Sequence, residues 1–141
     1  MPKSQGQKMK LLYLVKILEE QSDEAHPLTV QQIIDALAVY DVGAERKSIY
    51  DDIEALQNFG LDIVQLRGRK NSYYLGERHF QLPELKLLVD AAQSAKFITA
   101  KKSDELIRKI SGLASRYDAQ LLRREVHVQG RVKTMNESIY Y

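Results

Sequence analysis

Apolar residues recur at the spacing of an α-helix in three stretches of the N-terminal half. The first stretch, residues 7–21, has a broad apolar face and predicts a helix. The second begins after Thr29, a residue type that often caps a helix, and its apolar positions fall on one face. The third runs from Arg46 to Gly60, where glycine permits the left-handed backbone that commonly ends a helix. A short turn at residues 41–44 separates the last two helices, which is the order of a helix-turn-helix.

After Gly60 the apolar period changes to that of a β-strand. Residues 63–66 and 72–75 are rich in β-prone side chains, and the segment between them has the composition of a turn. The tip of this predicted hairpin is basic, because it holds Arg69 and Lys70. A helix-turn-helix followed at once by a basic hairpin predicts a winged helix-turn-helix, whose wing can lie along a phosphate backbone. The predicted fold class is mainly α with a small β-hairpin.

The third predicted helix is polar on the side opposite its apolar stripe, most densely in its first two turns. A helix that reads DNA in the major groove uses its first turns for the bases and nearby phosphates. An ordinary solvated helix has the same appearance, but the adjacent basic hairpin favours DNA because it gives both elements a common partner. The predicted DNA-binding residues are Arg46, Lys47, Ser48, Tyr50 and Asp51 on the third helix, Arg67, Arg69, Lys70 and Asn71 on the wing, and Thr29 and Gln31 at the start of the second helix.

Two further helices are predicted beyond the hairpin, the first over residues 82–98 and the second capped by Ser103. The first has apolar residues on more than one face, so it needs more than one partner. A shorter helical piece near residues 119–124 follows. Residues 126–128 and 131–133 then predict a strand with a turn at Gly130. The apolar stripes either pair two copies of the chain or pack within one chain. The candidate dimerisation residues are Leu85, Leu88, Val89, Ala92, Leu106, Ile110 and Leu113.

Composition narrows the class of protein. With 141 residues, 44% of them hydrophobic and 28% charged, the chain has room for one standard domain or a small domain plus a module. It has no cysteine, which excludes disulfides and thiolate metal sites and agrees with a reducing cytoplasm. No signal peptide or membrane span is apparent, so we expect a cytoplasmic protein that does not contact the membrane. The net charge of +2 is too small to indicate nucleic-acid binding. The N-terminal lysines, Lys10 among them, form a basic cluster that either meets phosphate or is ordinary solvated surface.

The sequence contains no recognisable catalytic or metal-binding arrangement. His26, His79 and His127 are isolated, and no glycine-rich phosphate loop or nucleophile elbow occurs. Asp51 and Asp52 point about 100° apart on a helix, which does not direct them at one substrate. Asp52 lies nearer the apolar stripe and is expected to bond a neighbouring helix or a backbone amide. We therefore predict no enzyme activity, no cofactor and no metal.

The residues also resemble a known family. The run ERKSIYDDIEAL at residues 45–56, then Phe59-Gly60-Leu61, the basic hairpin and Tyr73-Tyr74-Leu75, is similar to the N-terminal winged helix-turn-helix of bacterial WYL-domain transcriptional regulators, also described as DeoR-like or type-11. Residues 82–91, 97–99 and 101–103 resemble the helical segment that follows the wing in those proteins. Residues 136–141 resemble the lead-in to their WYL domain.

The resemblance implies a sequence-specific regulator that binds double-stranded DNA. If the apolar stripes of the two later helices pair two copies of the chain, the homodimer would match a palindromic site. The expected domains are a winged helix-turn-helix at residues 1–80, a helical linker or dimerisation segment at 81–125 and a strand-like lead-in at 126–141 to an absent WYL domain. Any effector would act through that absent domain.

Asp51 departs from the family, which often has a second basic residue there. Its carboxylate could accept a hydrogen bond from a cytosine amino group or pair with Lys47 one turn earlier. The alternative function is a winged-helix module that binds a protein partner, which the modest net charge and the acids Asp51 and Glu54 favour.

Overall fold

The computed structural model describes residues 3–129. This part of the chain is mainly helical, with six α-helices and a small three-stranded antiparallel sheet. The chain divides between Glu77 and Arg78 into two compact units, each with its own buried apolar cluster. The predicted fold class is confirmed at this level, and the sheet has one strand more than predicted. In the part of the chain described, no helix is both long and apolar enough to cross a membrane.

The first unit contains α1, β1, α2, α3, β2 and β3, which are Lys3–Gln21, Leu28–Thr29, Val30–Val39, Arg46–Phe59, Ile63–Leu66 and Ser72–Leu75. The second unit contains α4, α5 and α6, which are Leu82–Ser94, Ala100–Ser111 and Arg116–Gln129.

Local signals set the ends of α2 and α3. The hydroxyl of Thr29 accepts a hydrogen bond from the Gln32 amide at 3.2 Å, and the Gln32 side chain accepts one from the Thr29 amide at 2.8 Å. This reciprocal capping box satisfies two amides that a helix start would otherwise leave without partners. The α3 helix ends at Gly60, whose φ of 125° is a conformation that glycine adopts without steric cost. The predicted cap and the predicted helix end are both confirmed.

The central strand of the sheet is β3, which pairs with β2 on one side and with β1 on the other. Thr29 pairs with Ser72, and Leu66 also pairs with Ser72 from the opposite side. The sequence did not predict β1, because a strand of two residues is too short to show a period. Since β1 leads directly into α2, this pairing attaches the start of α2 to the hairpin.

The core of the first unit is made by the apolar stripes that the sequence predicts. Leu14 of α1, Ile33 of α2 and Ile49 of α3 are completely buried, and Tyr73 and Leu75 of β3 cover the same cluster. The stripe of α3 continues through Ile53 and Leu56. Because that stripe faces the core, the polar side of α3 faces solvent.

The second unit differs from its predicted boundaries. Helix α4 ends at Ser94 and not near residue 98, and α5 begins after Thr99, whose hydroxyl accepts a hydrogen bond from the Lys102 amide at 3.1 Å. The prediction that Ser103 caps this helix is wrong. Ser103 lies buried inside α5 and donates to the carbonyl of Ala92 at 3.2 Å. Ser and Thr are similar capping residues, so the sequence alone did not separate the two starts.

The predicted strand at residues 126–128 is also wrong, because α6 continues as a helix to Gln129. The β-branched valines favour a strand, but tertiary packing overrides this weak preference. Leu122 is fully buried, Val126 packs against the same cluster, and the carbonyl of Val126 accepts a hydrogen bond from the Gln93 side chain at 3.3 Å. The rest of the predicted lead-in, residues 130–141, lies outside the described residues.

The predicted dimerisation residues separate into two groups. Leu85, Val89 and Ala92 are buried in the core of the second unit, so their assignment to a surface between two copies is corrected. They are internal because α5 and α6 supply the apolar partners that α4 needs. Ile110 is half-buried against that core. Leu88, Leu106 and Leu113 remain exposed.

Replacing Thr29 with alanine is expected to lower the free energy of unfolding by about 1 kcal/mol, because the substitution removes one half of the capping box. Urea unfolding monitored by circular dichroism measures the loss. The Thr29→Ser variant keeps the hydroxyl and serves as the control. A loss for Thr29→Ser as large as that for Thr29→Ala would mean that the cap is not the cause.

Candidate nucleic-acid interface

Three segments that are distant in the sequence meet at one cleft of the first unit, which we call the cationic cleft. Its volume is about 330 Å³. Seven of the residues predicted to bind DNA line it. The lining residues are Thr29, Val30 and Gln31 at the start of α2, Arg46 and Tyr50 on α3, and Gly68, Arg69, Lys70 and Asn71 in the β2–β3 loop.

The sheet brings these segments together. The pairing of Thr29 with Ser72 holds the first turn of α2 beside the end of the hairpin loop. The start of α3 reaches the same place because its apolar stripe packs on α1 and α2. The short strand β1, which the sequence did not predict, is therefore the element that closes the cleft.

The cleft is electropositive. Arg46, Arg69 and Lys70 are all exposed, and within residues 3–129 none of them forms an ion pair. The N-terminus of α2 adds the positive end of its helix dipole. Guanidinium groups, an ammonium group and a helix start are the groups that bind phosphate in proteins.

Three predicted DNA-binding residues lie outside the cleft but on exposed surface. Lys47 and Asp51 are exposed on α3, one turn apart. No ion pair joins them in the described structure, so the Asp51 carboxylate is open to solvent. Arg67 is exposed at the end of β2.

Ser48 faces the interior side of α3. Its hydroxyl donates to the carbonyl of Glu45 at 2.8 Å and accepts a hydrogen bond from the ammonium group of Lys10 at 2.8 Å. Because the hydroxyl both donates and accepts a hydrogen bond within the protein, Ser48 supports the position of α3 and is not part of the exposed surface that could contact DNA.

Lys10 is the residue that sequence reasoning misplaced. It belongs to the N-terminal basic cluster, yet its side chain is only 3% exposed and its ammonium nitrogen lies 2.7 Å from a carboxylate oxygen of Asp52. The sequence contains a sign that Lys10 is buried, because Lys10 precedes Leu14 and Ile17 at helical spacing on the buried face of α1. The prediction that Asp52 bonds a neighbouring helix is confirmed.

A second, more polar cleft of about 490 Å³ separates α3 from the sheet. Tyr50 and Asn71 border both clefts. Burial raises the pKa of the Tyr73 hydroxyl, nearby Tyr50 raises it further, and Arg67 opposes the change. The Tyr73 hydroxyl is therefore protonated at neutral pH and available as a hydrogen-bond donor. The cleft is lined by Tyr50, Ile53, Glu54, Gln57, Gln65, Asn71 and Tyr73.

The described residues contain no cluster of three or more His, Cys, Asp or Glu side chains placed to hold a metal ion. His26 pairs with Asp23 across the turn between α1 and β1, with 2.8 Å between the ring nitrogen Nδ1 and a carboxylate oxygen.

No protein-family model, curated protein or solved structure matches this chain. A functional assignment for this chain therefore depends on its own residues and geometry.

Proposed function

We propose that the first unit is a winged helix-turn-helix that binds double-stranded DNA in a sequence-specific manner, and that the protein is a transcriptional regulator. The element order supports this proposal. Helices α2 and α3 correspond to the helix-turn-helix, the β2–β3 loop to the wing, and β1 completes the sheet beside the wing. The observation that carries the proposal is the cationic cleft, in which both parts of the helix-turn-helix and the wing meet around exposed cations.

In the proposed complex, α3 enters the major groove with its solvent-facing side towards the bases. Arg46, Lys47 and Tyr50 lie in its first turns, which are the turns that reach base edges and groove walls in helix-turn-helix proteins. The buried stripe on the opposite side leaves only this face free for DNA. Asp51 lies one residue beyond Tyr50 on the same exposed surface.

Phosphate contacts come from the other two segments. Arg67, Arg69, Lys70 and Asn71 hold the backbone from the wing, while Thr29 and Gln31 meet the opposite wall at the start of α2. The amide nitrogen of the Gln31 side chain donates one of its two hydrogens to Asp35 at 2.9 Å, so the donors left for a phosphate oxygen are its second N–H and the backbone amide. Phosphate contacts set affinity and register, and base contacts set sequence preference.

We further propose that the protein is cytoplasmic, has no enzymatic activity and acts as a homodimer related to the WYL-domain regulators. The resemblance of residues 45–75 to the winged domain of that family supports this assignment. Two copies related by a two-fold axis match a palindromic site. The exposed Leu88, Leu106 and Leu113 are the members of the predicted dimerisation set that are free to make contacts between copies.

A protein-binding winged helix is the second candidate, and the charge of the first unit favours it. Residues 1–77 contain nine Lys and Arg against twelve Asp and Glu, a formal net charge of −3. Asp51 and Glu54 place two of those acids on the exposed side of α3. DNA binding by such a unit depends on where its cations lie and not on their number.

Fluorescence anisotropy with a random duplex, at low and at moderate salt, separates the two functions. Affinity at low salt that falls steeply as salt is raised is the expected result for DNA binding. A lack of affinity even at low salt would rule DNA binding out. Selection of bound sequences from a random duplex pool then supplies the cognate site and shows whether it is palindromic.

Arg69→Ala is expected to weaken binding to every duplex and to lower the slope of affinity against salt by about 1, because Arg69 is placed to hold a phosphate. Lys47→Ala and Tyr50→Ala are expected to cost about 1–3 kcal/mol on the cognate site, with little effect on random DNA. Titrations of both duplexes at several salt concentrations measure the difference. Equal losses on cognate and random DNA for all three variants would contradict this division of roles.

A further inference from the structure

One ammonium group attaches α3 to α1. The buried side chain of Lys10 contacts two acceptors on α3, the Ser48 hydroxyl at 2.8 Å and the Asp52 carboxylate at 2.7 Å. We propose that Lys10 is a positioning residue that fixes the rotation of α3 about its own axis and thereby sets the sequence preference of the protein. This inference rests on the proposed DNA-binding function.

The spacing of the two acceptors is what restrains rotation. Ser48 and Asp52 are four residues apart, so they lie one helical turn apart on the same side of α3. Lys47 and Asp51 each precede one of these acceptors and lie about 100° around the helix, on the exposed side. Any rotation of α3 that moves the acceptors away from Lys10 therefore moves the DNA-facing side chains by the same angle.

A small rotation is sufficient to change base recognition. Side-chain tips lie about 5–6 Å from a helix axis, so a rotation of about 20° moves them by about 2 Å. Hydrogen-bond lengths vary by only about 0.5 Å. A displaced Lys47 or Tyr50 would miss its base edge while still lying in the groove.

The apolar core does not supply the same restraint. Ile49, Ile53 and Leu56 are buried, but hydrophobic contacts are not directional and tolerate small rotations. The hydrogen bond from Lys10 to the Ser48 hydroxyl is directional, and so is the hydrogen bond from the Gln57 side chain to the carbonyl of Ile63 at 2.8 Å. The contact of Lys10 with Asp52 is an ion pair without hydrogen-bond geometry. Lys10 acts near the start of α3 and Gln57 near its end, so the turns that meet DNA depend on Lys10.

Ser48 extends the restraint to the first turn of α3. Its hydroxyl oxygen accepts a hydrogen bond from the Lys10 ammonium group, and its O–H donates to the carbonyl of Glu45, the residue that caps α3. Lys10 is thereby connected, through one side chain, to the backbone just before Arg46. Ser48, which the sequence analysis assigned to DNA contact, therefore links α1 to α3.

The ion pair between Lys10 and Asp52 is not explained by the stability of the fold alone. Removing two charges from water is costly, and replacing a buried ion pair with well-packed apolar residues often leaves stability unchanged or higher. In some proteins such pairs specify a unique arrangement that an apolar pair does not. Here the pair lies directly behind the proposed reading face.

The double variant Lys10→Met/Asp52→Leu tests the proposal, because it removes the ion pair without changing the net charge. We expect it to melt at or above the temperature of the wild-type protein. Its affinity for a random duplex should stay within about twofold, since that affinity follows phosphate neutralisation. The ratio of cognate to random affinity should fall about tenfold, equivalent to one base contact. The matched control is Lys16→Met/Glu20→Leu, which replaces a lysine and a glutamate on the exposed face of α1 with the same apolar residues. It should leave the ratio of cognate to random affinity unchanged.

A folded double variant that keeps the wild-type ratio would overturn the proposal. Should the double variant fail to fold, Ser48→Ala removes only one acceptor, and an unchanged ratio in that variant would overturn it equally. Hydrogen exchange gives a measurement without DNA, in which the hydrogen-bonded amides 49–53 of the double variant should exchange faster while those of α2 do not change. Unaltered exchange in α3 would contradict the positioning role. Failure of the wild-type protein to bind any duplex is a separate result that removes the proposed function, and the specificity role with it.

Discussion

Replacing Lys10 with methionine while Asp52 remains is expected to lower the free energy of unfolding by about 3–5 kcal/mol. The substitution leaves the Asp52 carboxylate without its cation on a side chain that is only 19% exposed. A buried charge without a partner loses its hydration and gains nothing in exchange. Urea unfolding monitored by circular dichroism measures the loss, which is a large part of the stability of an ordinary domain.

The matched control for this result is the double variant in which Asp52 becomes leucine as well. If the loss comes from the isolated carboxylate, the second substitution should restore most of the stability, and the double-mutant cycle should show strong coupling between the two positions. A loss below about 1 kcal/mol in Lys10→Met would mean that water reaches Asp52 and that the pair is effectively a surface salt bridge.

The triple variant Arg46→Ala/Arg69→Ala/Lys70→Ala is expected to remove almost all DNA affinity. Hydrogen bonds from charged groups contribute about 1.5–3 kcal/mol each, so three lost contacts correspond to at least about 4 kcal/mol, or roughly a thousandfold. The slope of affinity against salt should also fall by about 2, because Arg69 and Lys70 are the two of these residues that are placed to hold phosphates. Anisotropy titrations at several salt concentrations provide both values, and circular dichroism verifies the fold.

A control with the same change in net charge comes from the second unit. Lys101, Arg108 and Lys109 are exposed on α5, and replacing all three with alanine removes as much positive charge as the triple variant. Because the proposed interface is local to the cationic cleft, this control should keep most of its affinity. Equal losses in the two variants would show that overall charge, and not the cleft, governs binding.

The charge distribution makes this comparison informative. Residues 1–77 carry a formal net charge of −3 while the whole chain carries +2, so the proposed DNA-binding unit is acidic and the remaining residues are basic. A unit of this kind gains little from general attraction to DNA. The proposed affinity for DNA therefore depends on Arg46, Arg69 and Lys70 lying together, which is an arrangement of the fold.

The elements of the first unit could be predicted because each has a local cause. The stripe of Ile49, Ile53 and Leu56 has the period of a helix, Thr29 has the side chain of a cap, and Gly60 permits the backbone that ends α3. The hairpin strands have the shorter period of a sheet. These patterns also indicate which side of α3 faces solvent, so most residues of the candidate site were found from the sequence.

Other features depend on contacts between residues that are distant in the sequence. The strand β1 has no period of its own and exists because Leu28 and Thr29 pair with β3. Residues 126–128 have a strand-like composition but are helical, because α6 packs its apolar side into the second unit. The sequence likewise did not separate core from surface among the apolar residues of α4, since both faces have similar composition.

The sequence by itself determined the helices α1 to α3, the basic hairpin and the exposed polar face of α3, because periodicity and capping act within a few residues. Only the tertiary structure decided that α2, α3 and the β2–β3 loop share one cleft, that Ser48 faces inward and that Lys10 is buried. The physical reason is that a charged side chain is expected to lie in water unless the protein interior provides an oppositely charged partner. That partner, Asp52, is brought to Lys10 only when α1 and α3 pack together.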